Sequence, residues 1–581
     1  MGLPGVIENV LDGNLNLQAG SNSNLTLFMD VCTLGVPNSL TTYGDAQTLT
    51  AALGAGSLLE AAGYGIKAGL PPVSVMPMNP SVRGGVGSVT HTGPGSGVVA
   101  VTIAPHLAIS YTCTTSGALG TAAFQFTVGG VTSAPVTSAA GWSSTGYLVP
   151  GTYCTIVFTA GSYISGGSAD IYTISTLGAI AHPQGAGPAV PTFTASPVDD
   201  YNPLISIPLG GAVGTAQFTY ALDGGVNASP SMIGPITTAA NYALPGTGLV
   251  LGFSSTFTAN DTYAFQSSGP LPGSGDLATA LTALETTLLP QATYTQVVLS
   301  YKQLSAAGWA TTVATCETAR QALFNSGIFV DFIVGGPTLG TVLPNSGNIT
   351  VDVSDTDSVV IAARAGMSGR PNACASDGLM ISPVSGLQFR RNASWAAAGR
   401  ASLVSCSQDI GAVADGGLKS FIKCYRDDFA TPGFYAAQIT CLRTFGAGTP
   451  PMIARGFTAM ASNSDYSPYT NSRVINKACR VAYTAALPYV LAKIPTASRN
   501  AAGPGTGVIA EWKAQQIEQK LTSIVKAALV ESSPQDAVNV TITVTRTNNI
   551  LSTGNLIIAV AVQGYGYAVT VTLNVGMTTG S

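Results

Sequence analysis

Residues 296–334 read QVVLSYKQLSAAGWATTVATCETARQALFNSGIFVDFIV. Residues 296–301 predict a strand, and residues 304–325 predict a helix because apolar side chains recur on one side of it, namely Trp309, Val313, Cys316 and Leu323. Residues 328–334 form a nearly continuous apolar run, which is typical of a strand buried in a parallel sheet. The order strand, helix, strand predicts an α/β domain with helices on the faces of its sheet.

The flanking sequence extends this pattern in both directions. Upstream, strands are predicted at 24–31 and 72–78, and a helix at 45–59. A further helix is predicted to begin at a Ser274 or Asp276 cap, because leucines follow at helical spacing, namely Leu277, Leu281, Leu284 and Leu288. Downstream, helices are predicted near 395–405, at 474–494 with a kink at Pro488, and at 508–530 beyond an AAGPGTG hinge. Alternating apolar runs predict three closing strands, at 538–545, 556–562 and 568–575.

An internal repeat occupies the charge-poor region between these α/β segments. GTAAFQFTVGG begins at Gly120 and GTAQFTYALDGG at Gly214, and the Pro-Gly-Thr triplet at 150–152 recurs at 245–247. The region alternates in short runs broken by Gly and Pro, without helical periodicity. We therefore expect two β-sandwich modules, at 89–185 and 186–272, joined by the Pro-rich linker HPQGAGPAVP at 182–191.

The repeat also places two cysteines. Shifted by the repeat length, Cys113 falls on Ile207 and Cys154 on Leu249, both core-type residues, so Cys113 and Cys154 are expected to face each other inside the first module. Free thiols and a disulfide both remain possible for this pair. Among the nine cysteines, Cys374 in the loop-like RPNACASDG is the one expected to be exposed.

The charge distribution excludes several classes of function. Only 9% of residues are charged, against about 25% in ordinary soluble proteins. Residues 1–301 carry a net charge of −10 and residues 302–581 one of +6, with no Lys or Arg between Arg83 and Lys302. Nucleic-acid binding is excluded for the first half and disfavoured for the second, because a polyanion binder needs clustered cations. The sequence contains no run of 18 apolar residues, so no membrane span is predicted. The first ten residues do not resemble a secretory signal.

Catalytic residue patterns are weak throughout. The three histidines, His91, His106 and His182, all lie in the β modules, so triads, dyads and His-based zinc sites lack support. GAVADGGLKS at 411–420 departs from a phosphate loop because its lysine comes two residues too late. Asp352, Asp355 and Asp357 could bind a cation, although a capped turn explains them better. We expect no enzyme, no cofactor and no metal.

Several blocks resemble the sheath protein of contractile bacteriophage tails. In SNSDYSPYTNSRVINKACRVAY, residues 462–483, the turn Ser464-Asp465-Tyr466 precedes a helix that opens with Asn471, Arg473 and Val474, as in that family. The opening Pro4-Gly5-Val6 is also similar to it, and so is the ending, in which residues 546–549 lead to two apolar strands joined through the GYGY at 564–567. The resemblance covers 1–88 and 273–581, and the repeats fall outside it.

The resemblance implies a mechanical subunit. Such subunits stack as six-fold rings around a tail tube and contract to drive the tube through the host envelope, without nucleotide hydrolysis. The implied partners are further copies of the chain, the tail tube protein, and the baseplate and tail terminator proteins, with assembly in the host cytoplasm and a final place in the virion. Three alternatives remain: a surface or S-layer-type adhesin with Ig-like modules, the sheath of a phage-derived contractile injection particle, and a degenerate α/β enzyme.

The expected fold is therefore mixed, with an α/β sheath-like core, two inserted β-sandwich modules and a small α+β C-terminal domain. The expected divisions are an N-terminal arm at 1–22, the first part of the core at 23–88, the repeats at 89–185 and 186–272, the rest of the core at 273–500, and the C-terminal domain at 501–581.

Two surfaces are expected to serve assembly. Both termini should be arms that complete sheets of neighbouring subunits, the first through Pro4, Gly5 and Val6, the last through Val569, Val571, Leu573 and Val575. The alternative is a disordered N-terminus and an intramolecular last strand. Lys513 and Lys520 share one face of the C-terminal helix, with Lys526 close to it, and the resemblance implies that this face meets the tail tube. A solvated outer face is the alternative.

Overall fold

The computed structural model describes residues 25–70, 72–184, 192–224, 232–288, 294–337, 341–342, 352–353, 356–446, 448–497 and 507–567. Its helices are α1 Ala46–Leu53, α2 Ser57–Ala68, α3 Ser274–Ala283, α4 Ala306–Asn325, α5 Asp357–Ala365, α6 Ala393–Leu403, α7 Tyr469–Ala486, α8 Glu511–Leu529 and α9 Ile550–Thr553. The expected mixture of α/β and all-β structure is confirmed at this level.

The strands follow the chain in three groups. The first comprises β1 Thr26–Asp30, β2 Thr41–Tyr43, β3 Val73–Pro77 and β4 Gly85–Val86. The second comprises β5 Thr90–Thr92, β6 Val98–Ile103, β7 Ile109–Thr115, β8 Gly117–Ala118, β9 Ala123–Val128, β10 Val131–Thr132, β11 Val136–Thr137, β12 Tyr147–Leu148, β13 Thr155–Val157, β14 Ser162–Tyr163, β15 Ile171–Ile174, β16 Ile180–Gln184, β17 Thr192–Thr194, β18 Leu204–Leu209, β19 Gly211–Ala212, β20 Gln217–Ala221, β21 Ile233–Thr237, β22 Asn241–Leu244, β23 Leu249–Ser254, β24 Thr256–Phe257, β25 Thr262–Ala264 and β26 Ser267–Ser268. The third comprises β27 Gln296–Leu299, β28 Asp331–Gly335, β29 Thr341–Val342, β30 Asp352–Val353, β31 Asn372–Cys374, β32 Asp377–Ile381, β33 Gln388–Asn392, β34 Phe421–Cys424, β35 Leu442–Arg443, β36 Met452–Ile453, β37 Asn539–Val544 and β38 Ile558–Gln563.

A six-stranded sheet in the order β2-β3-β1-β27-β28-β31 forms the centre of the core. All its neighbours pair in parallel except β2, which runs antiparallel to β3. Alternate residues of each strand face opposite sides, so Val297 and Leu299 pack with α3 and α4 while Val298 packs with α2 and α6. Because helices cover both faces, the central strands carry the continuous apolar runs seen in the sequence.

Local signals explain where the core helices begin and end. Ser305 caps α4 by accepting a hydrogen bond from the Gly308 N–H, and Asp45 caps α1 in the same manner. The single helix predicted at 45–59 is instead two, because Gly54 and Gly56 adopt positive φ angles of 73° and 115° between them. The helix predicted at 474–494 ends at Ala486, where Pro488 lies in a 3₁₀ turn rather than at a kink.

The chain enters and leaves the β region through one short antiparallel ribbon. Strand β4 pairs with β26, with Val86 opposite Ser267, and an isolated bridge joins Val82 to Leu271 just outside it. We call this ribbon the neck. Both crossings of the chain therefore lie side by side, and the described residues between them add no strand to the central sheet.

Two sandwiches of matching topology fill the β region. The inner sandwich consists of the sheets β10-β9-β7-β15-β16 and β12-β13-β17, and the outer sandwich of β21-β20-β18-β25-β5 and β22-β23-β6. Each has its own core, the inner one around Tyr111, Phe124 and Phe158, the outer one around Phe218 and Phe253. Corresponding strands thus occupy corresponding places in the two sandwiches.

The strand pairing differs from the predicted division at 185/186. Strands β5 and β6 pair with β25 and β23 of the outer sandwich, whereas β16 and β17 pair with β15 and β13 of the inner one. The inner sandwich, at 109–194, is therefore nested between the first two strands of the outer sandwich and the rest of it. The physical reason is that β5 and β16 are equivalent strands. Each lies at an edge of the larger sheet of its sandwich, β5 beside β25 and β16 beside β15.

A C-terminal layer packs against the core through α7. Helix α8 lies against α7 and a two-stranded sheet, β37-β38, and the three share an apolar core that includes Val474, Ile517, Leu521, Val540 and Ile542. The third closing strand predicted from the sequence, at 568–575, lies outside the described residues, as do both predicted arms with Pro4, Gly5, Val6, Val569, Val571, Leu573 and Val575.

Candidate assembly surfaces

The C-terminal sheet has open edges in the described part of the chain. Strand β37 pairs with β38 over six residue pairs, from Asn539 opposite Gln563 to Val544 opposite Ile558. Val540, Ile542 and Val544 are buried, and the residues between them are exposed. Among the described residues neither strand pairs with a third. A two-stranded sheet of this kind offers backbone groups to an added strand.

Lysines on α8 pack around one tyrosine of the preceding segment. The Nζ atoms of Lys513 and Lys520 lie 6.0 and 5.9 Å from the centre of the Tyr489 ring. The structure thus brings these two lysines to the same side of the helix, while Lys526 is half-buried farther along it. Cations over an aromatic face contribute about 0.5–1 kcal/mol each at exposed sites. Lys513 is half-buried and Lys520 is exposed.

Two glutamates of the same helix, Glu511 and Glu518, bind Arg546, a contact that the sequence did not indicate. Arg546, just beyond β37, forms ion pairs with Glu511, at 3.0 Å from Nη2 to Oε1, and with Glu518. Hydrogen bonds from Arg546 lower the pKa of both glutamates. Glu518 also accepts a hydrogen bond from the Val544 N–H at 2.7 Å. These contacts fix α8 against the end of β37.

The residues that carry the sheath resemblance form one turn-and-helix unit. In the turn, the Tyr466 N–H donates to Ser464 Oγ at 3.2 Å, and Asn471 Nδ2 donates to the carbonyl oxygen of Asp465 at 2.6 Å. Two α7 residues then point inward: Val474 enters the core of the C-terminal layer, and Arg473 is buried.

The guanidinium of Arg473 closes the C-terminal end of α6. It donates to the carbonyl oxygens of Ala401, of Val404 at 3.0 Å and of Gln408 at 3.4 Å. Carbonyls at the end of a helix lack partners within it, so one arginine satisfies several of them. Arg473 therefore positions α7, and with it the C-terminal layer, on the core.

A buried ion cluster joins the outer sandwich to the core. Arg391 donates to both oxygens of Asp199, Nη1 to Oδ1 at 2.9 Å and Nη2 to Oδ2 at 2.6 Å, and these side chains are 4% and 6% exposed. Beside them, Lys302 Nζ lies 2.7 Å from Asp200 Oδ1. The Arg391 guanidinium also lies over Phe389, at 4.3 Å from the ring centre. We call this group the junction cluster. The only feature of the sequence that pointed to this cluster was the acidic pair Asp199-Asp200, in a region almost without charge.

All nine cysteines are free thiols, and eight of them are buried. Cys113 and Cys154 both lie in the core of the inner sandwich, and burial raises the pKa of each thiol, that of Cys154 to about 12. The expectation that Cys374 is exposed is wrong. Its segment forms β31, the last strand of the central sheet, and the residue is fully buried. Cys479 on α7 is the one half-buried cysteine.

No catalytic arrangement emerges from the described residues. His91 stacks on Tyr263, at 4.5 Å between ring centres, with Asp261 at 3.6 Å. Asp357 begins α5 and pairs with Arg426, while the side chains of Asp352 and Asp355 lie outside the described part. In that part, no group of three or more His, Cys, Asp or Glu residues is placed to hold a metal ion, and no helix has the length and apolarity needed to cross a membrane.

Comparison with known proteins gives one family match and several similar structures. The model of the DUF2586 family, C-terminal domain, matches residues 465–580, and no curated protein matches the chain. The sheath tail protein of Desulfitobacterium hafniense is similar at 10% identity, covering 97% of this chain and 100% of that one, with a TM-score of 0.39.

Two further solved structures are similar at comparable levels. The sheath tail protein of Listeria innocua is 9% identical over 94% of this chain and 96% of its own, with a TM-score of 0.38. A chain of the anti-feeding prophage baseplate is 12% identical over 54% of this chain and 76% of its own, with a TM-score of 0.32. Both of these solved proteins are described as sheath tail proteins, in agreement with the resemblance seen in the sequence.

Proposed function

We infer that this chain is a structural, non-enzymatic subunit of a contractile phage tail sheath. It stacks as six-fold rings around a tail tube and contracts to drive the tube through the host envelope. Its partners are further copies of itself, the tail tube protein, and the baseplate and tail terminator proteins. It assembles in the host cytoplasm and resides in the virion.

The observation that carries this proposal is the open-edged sheet of the C-terminal layer. Strands β37 and β38 have no third partner among the described residues, and the sequence beyond them alternates again at 568–575. Strand addition from another copy would satisfy the free backbone groups and bury the alternate apolar side chains. Subunits linked in this way stay connected while their rigid cores move.

The arrangement of the core, the C-terminal layer and the two sandwiches supports the same function. The core and the C-terminal layer coincide with the blocks that resemble sheath proteins, and Arg473 of α7 holds them together. The chain enters and leaves the two sandwiches through the neck, and none of their described strands belongs to the central sheet. We assign them to the outer surface as a decoration of the sheath core.

Assembly of the purified chain tests the proposal. Full-length protein, alone or seeded with tail tubes, should form hollow helical polymers in negative-stain electron micrographs. Variants lacking residues 1–17 or 568–581 should remain soluble monomers with the circular dichroism of the full chain. A full-length chain that stays monomeric in the presence of tubes would contradict the sheath function, and normal polymerisation of both truncations would contradict the arms.

The lysine face of α8 has its own test. Reversal of Lys513 and Lys520 to Glu should impair assembly on tubes while the monomer melts as before, because exposed charge pairs contribute only about 0–1 kcal/mol each. The matched control is Lys67→Glu with Lys423→Glu, which reverses two exposed lysines of the core. Equal assembly of the two double variants would favour a solvated face.

A further inference from the structure

A groove of about 580 Å³ lies on the core, where the described part of the chain ends. Ala412 and Val413 form one wall, and Ala454, just beyond β36, lies on another. Two of its lining side chains are well exposed, Val413 at 52% and Phe445 at 40%, so the groove is open to an occupant. A liquid water occupies about 30 Å³, so there is space for roughly nineteen waters, which is room for several side chains.

The chain itself leads to this groove after β38. Residues 564–567 follow the end of that strand without a turn or bend. At their end the hydroxyl of Tyr567 donates a hydrogen bond to the carbonyl oxygen of Ser407, and Tyr567 also lines the groove. A third strand beside β38 in the same chain would need a reversal, and the chain has not reversed by Tyr567, the last described residue. The chain beyond Tyr567 therefore starts at the groove.

The sequence that follows matches the groove in polarity. Residues 568–575 read AVTVTLNV, and their larger apolar side chains alternate, namely Val569, Val571, Leu573 and Val575. In an extended segment such alternate side chains point to the same side. The groove offers apolar contacts on its own side, among them Val413 and Phe445. An extended segment could therefore bury one row of side chains there and leave its threonines in water.

Charge also limits what can occupy the groove. Asp409 and Arg455 form an ion pair at 3.2 Å, which leaves Arg443 as the further charged side chain of the lining. Its guanidinium lies over the Phe445 ring, 4.1 Å from the ring centre. A cationic occupant would be repelled by Arg443, whereas residues 568–575 contain no charged side chain.

The other end of the chain joins the fold elsewhere. Residues 1–24 contain Glu8 and Asp12 and lead to Leu25. The carbonyl oxygen of Leu25 accepts a hydrogen bond from the Thr295 N–H at 3.0 Å, next to the central sheet, and Leu25 does not line the groove. The C-terminal segment is therefore the one that has the shorter path to it.

We propose that residues 568–575 of the same chain occupy this groove in the unassembled subunit, with their alternating apolar side chains directed at Val413 and Phe445. A segment tethered beside its site acts at an effective concentration on the order of millimolar, so a modest intrinsic affinity is enough. One consequence rests on the proposed sheath function: the groove withholds the C-terminal arm until the sheet of a neighbouring subunit competes for it. The contact is then autoinhibitory.

Photocrosslinking of the full-length chain, as a dilute monomer, tests the contact. p-Benzoylphenylalanine replaces Phe445 or, in a second variant, Val413, and mass spectrometry identifies the peptide that it captures. Both probes should capture the peptide that contains residues 568–575. The matched control carries the probe in place of Phe324, which is also 40% exposed but lies near the end of α4, and it should not capture this peptide.

Two double variants test which side of the segment lies in the groove. Val571→Asp with Leu573→Asp should lower the yield of the crosslink about tenfold, because the burial of two aliphatic side chains is lost. Thr570→Asp with Thr572→Asp adds the same charges to the alternate positions and should keep most of the yield.

A mixture of isotope-labelled and unlabelled chains separates contacts within one chain from contacts between copies. Crosslinks that join a labelled chain to an unlabelled one would overturn the proposal, and so would capture of residues 1–24 instead. Failure of both probes to capture residues 568–575, or equal yields in the two double variants, would overturn it as well. Polymerisation on tubes without the crosslink would contradict the groove alone, whereas a crosslinked monomer from a chain that never polymerises would contradict the sheath function alone.

Discussion

Replacing Arg391 with Met should loosen the attachment of the outer sandwich. Arg391 is the bidentate partner of Asp199, and both side chains are almost fully buried. Removing one member of a buried pair costs about 3–5 kcal/mol because the other charge remains without compensation. Met fills much of the space of the arginine stem and keeps a favourable contact with Phe389, so lost packing adds little.

Two further carboxyl groups place the expected loss in the upper part of this range. Burial raises the pKa of Asp30 to about 7 and raises that of Glu60, and Arg391 opposes the shift in both cases. Without Arg391 both pKa values rise further, and the carboxylates become harder to keep ionised. The deficit of the variant should therefore be largest above pH 7 and smaller at pH 5, where protons neutralise the groups.

Scanning calorimetry over pH 5–8 measures the effect. A loss of about 4 kcal/mol corresponds to a fall in Tm of roughly 10 °C for a unit the size of the β region. Arg391→Met combined with Asp199→Asn should recover part of the loss, because the charge of Asp199 is then removed together with its bidentate partner. The control Lys423→Met removes an exposed positive charge and should change the stability by less than about 0.5 kcal/mol. A single variant within 1 kcal/mol of wild type, judged on the scale of surface substitutions, or a double variant no better than the single one, would refute the reasoning.

Three other predictions concern single residues. Burial raises the pKa of Asp30 to about 7, so the stability that this residue contributes is highest below pH 3.8 and is lost as the pH rises to about 7. In urea titrations, Asp30→Asn should therefore stabilise the chain by about 2–4 kcal/mol at pH 8 and by much less at pH 4. Arg473→Met should destabilise the chain by about 2–4 kcal/mol, since buried carbonyls at the end of α6 lose their donor, and an unchanged urea midpoint would argue against this. Iodoacetamide should label Cys479 first in the folded protein, and rapid labelling of Cys113 would show that the inner sandwich is packed differently.

Local patterns predicted the centre of the fold well. Strand β27, helix α4 and strand β28 follow from two apolar runs and a helical spacing that lie within forty residues of one another. The junction cluster was not predictable, because Arg391 and Asp199 are 192 positions apart and neither sits in a motif. Cys374 was misplaced since a short strand flanked by Pro and Ser has the composition of a loop, and only its pairing with β28 buries it.

The nested pairing of the sandwiches has a consequence for the order of folding. Strands β5 and β6 leave the ribosome first among the sandwich strands, yet their partners β25 and β23 come well over a hundred residues later. All strands of the inner sandwich, in contrast, are available once Thr194 has been synthesised. The inner sandwich can therefore fold during translation and shorten the loop that the outer one must close, while β5 and β6 wait as unpaired edges. Slow translation beyond residue 194 would give this intermediate more time, and a chaperone that shields strand edges would find its substrate there.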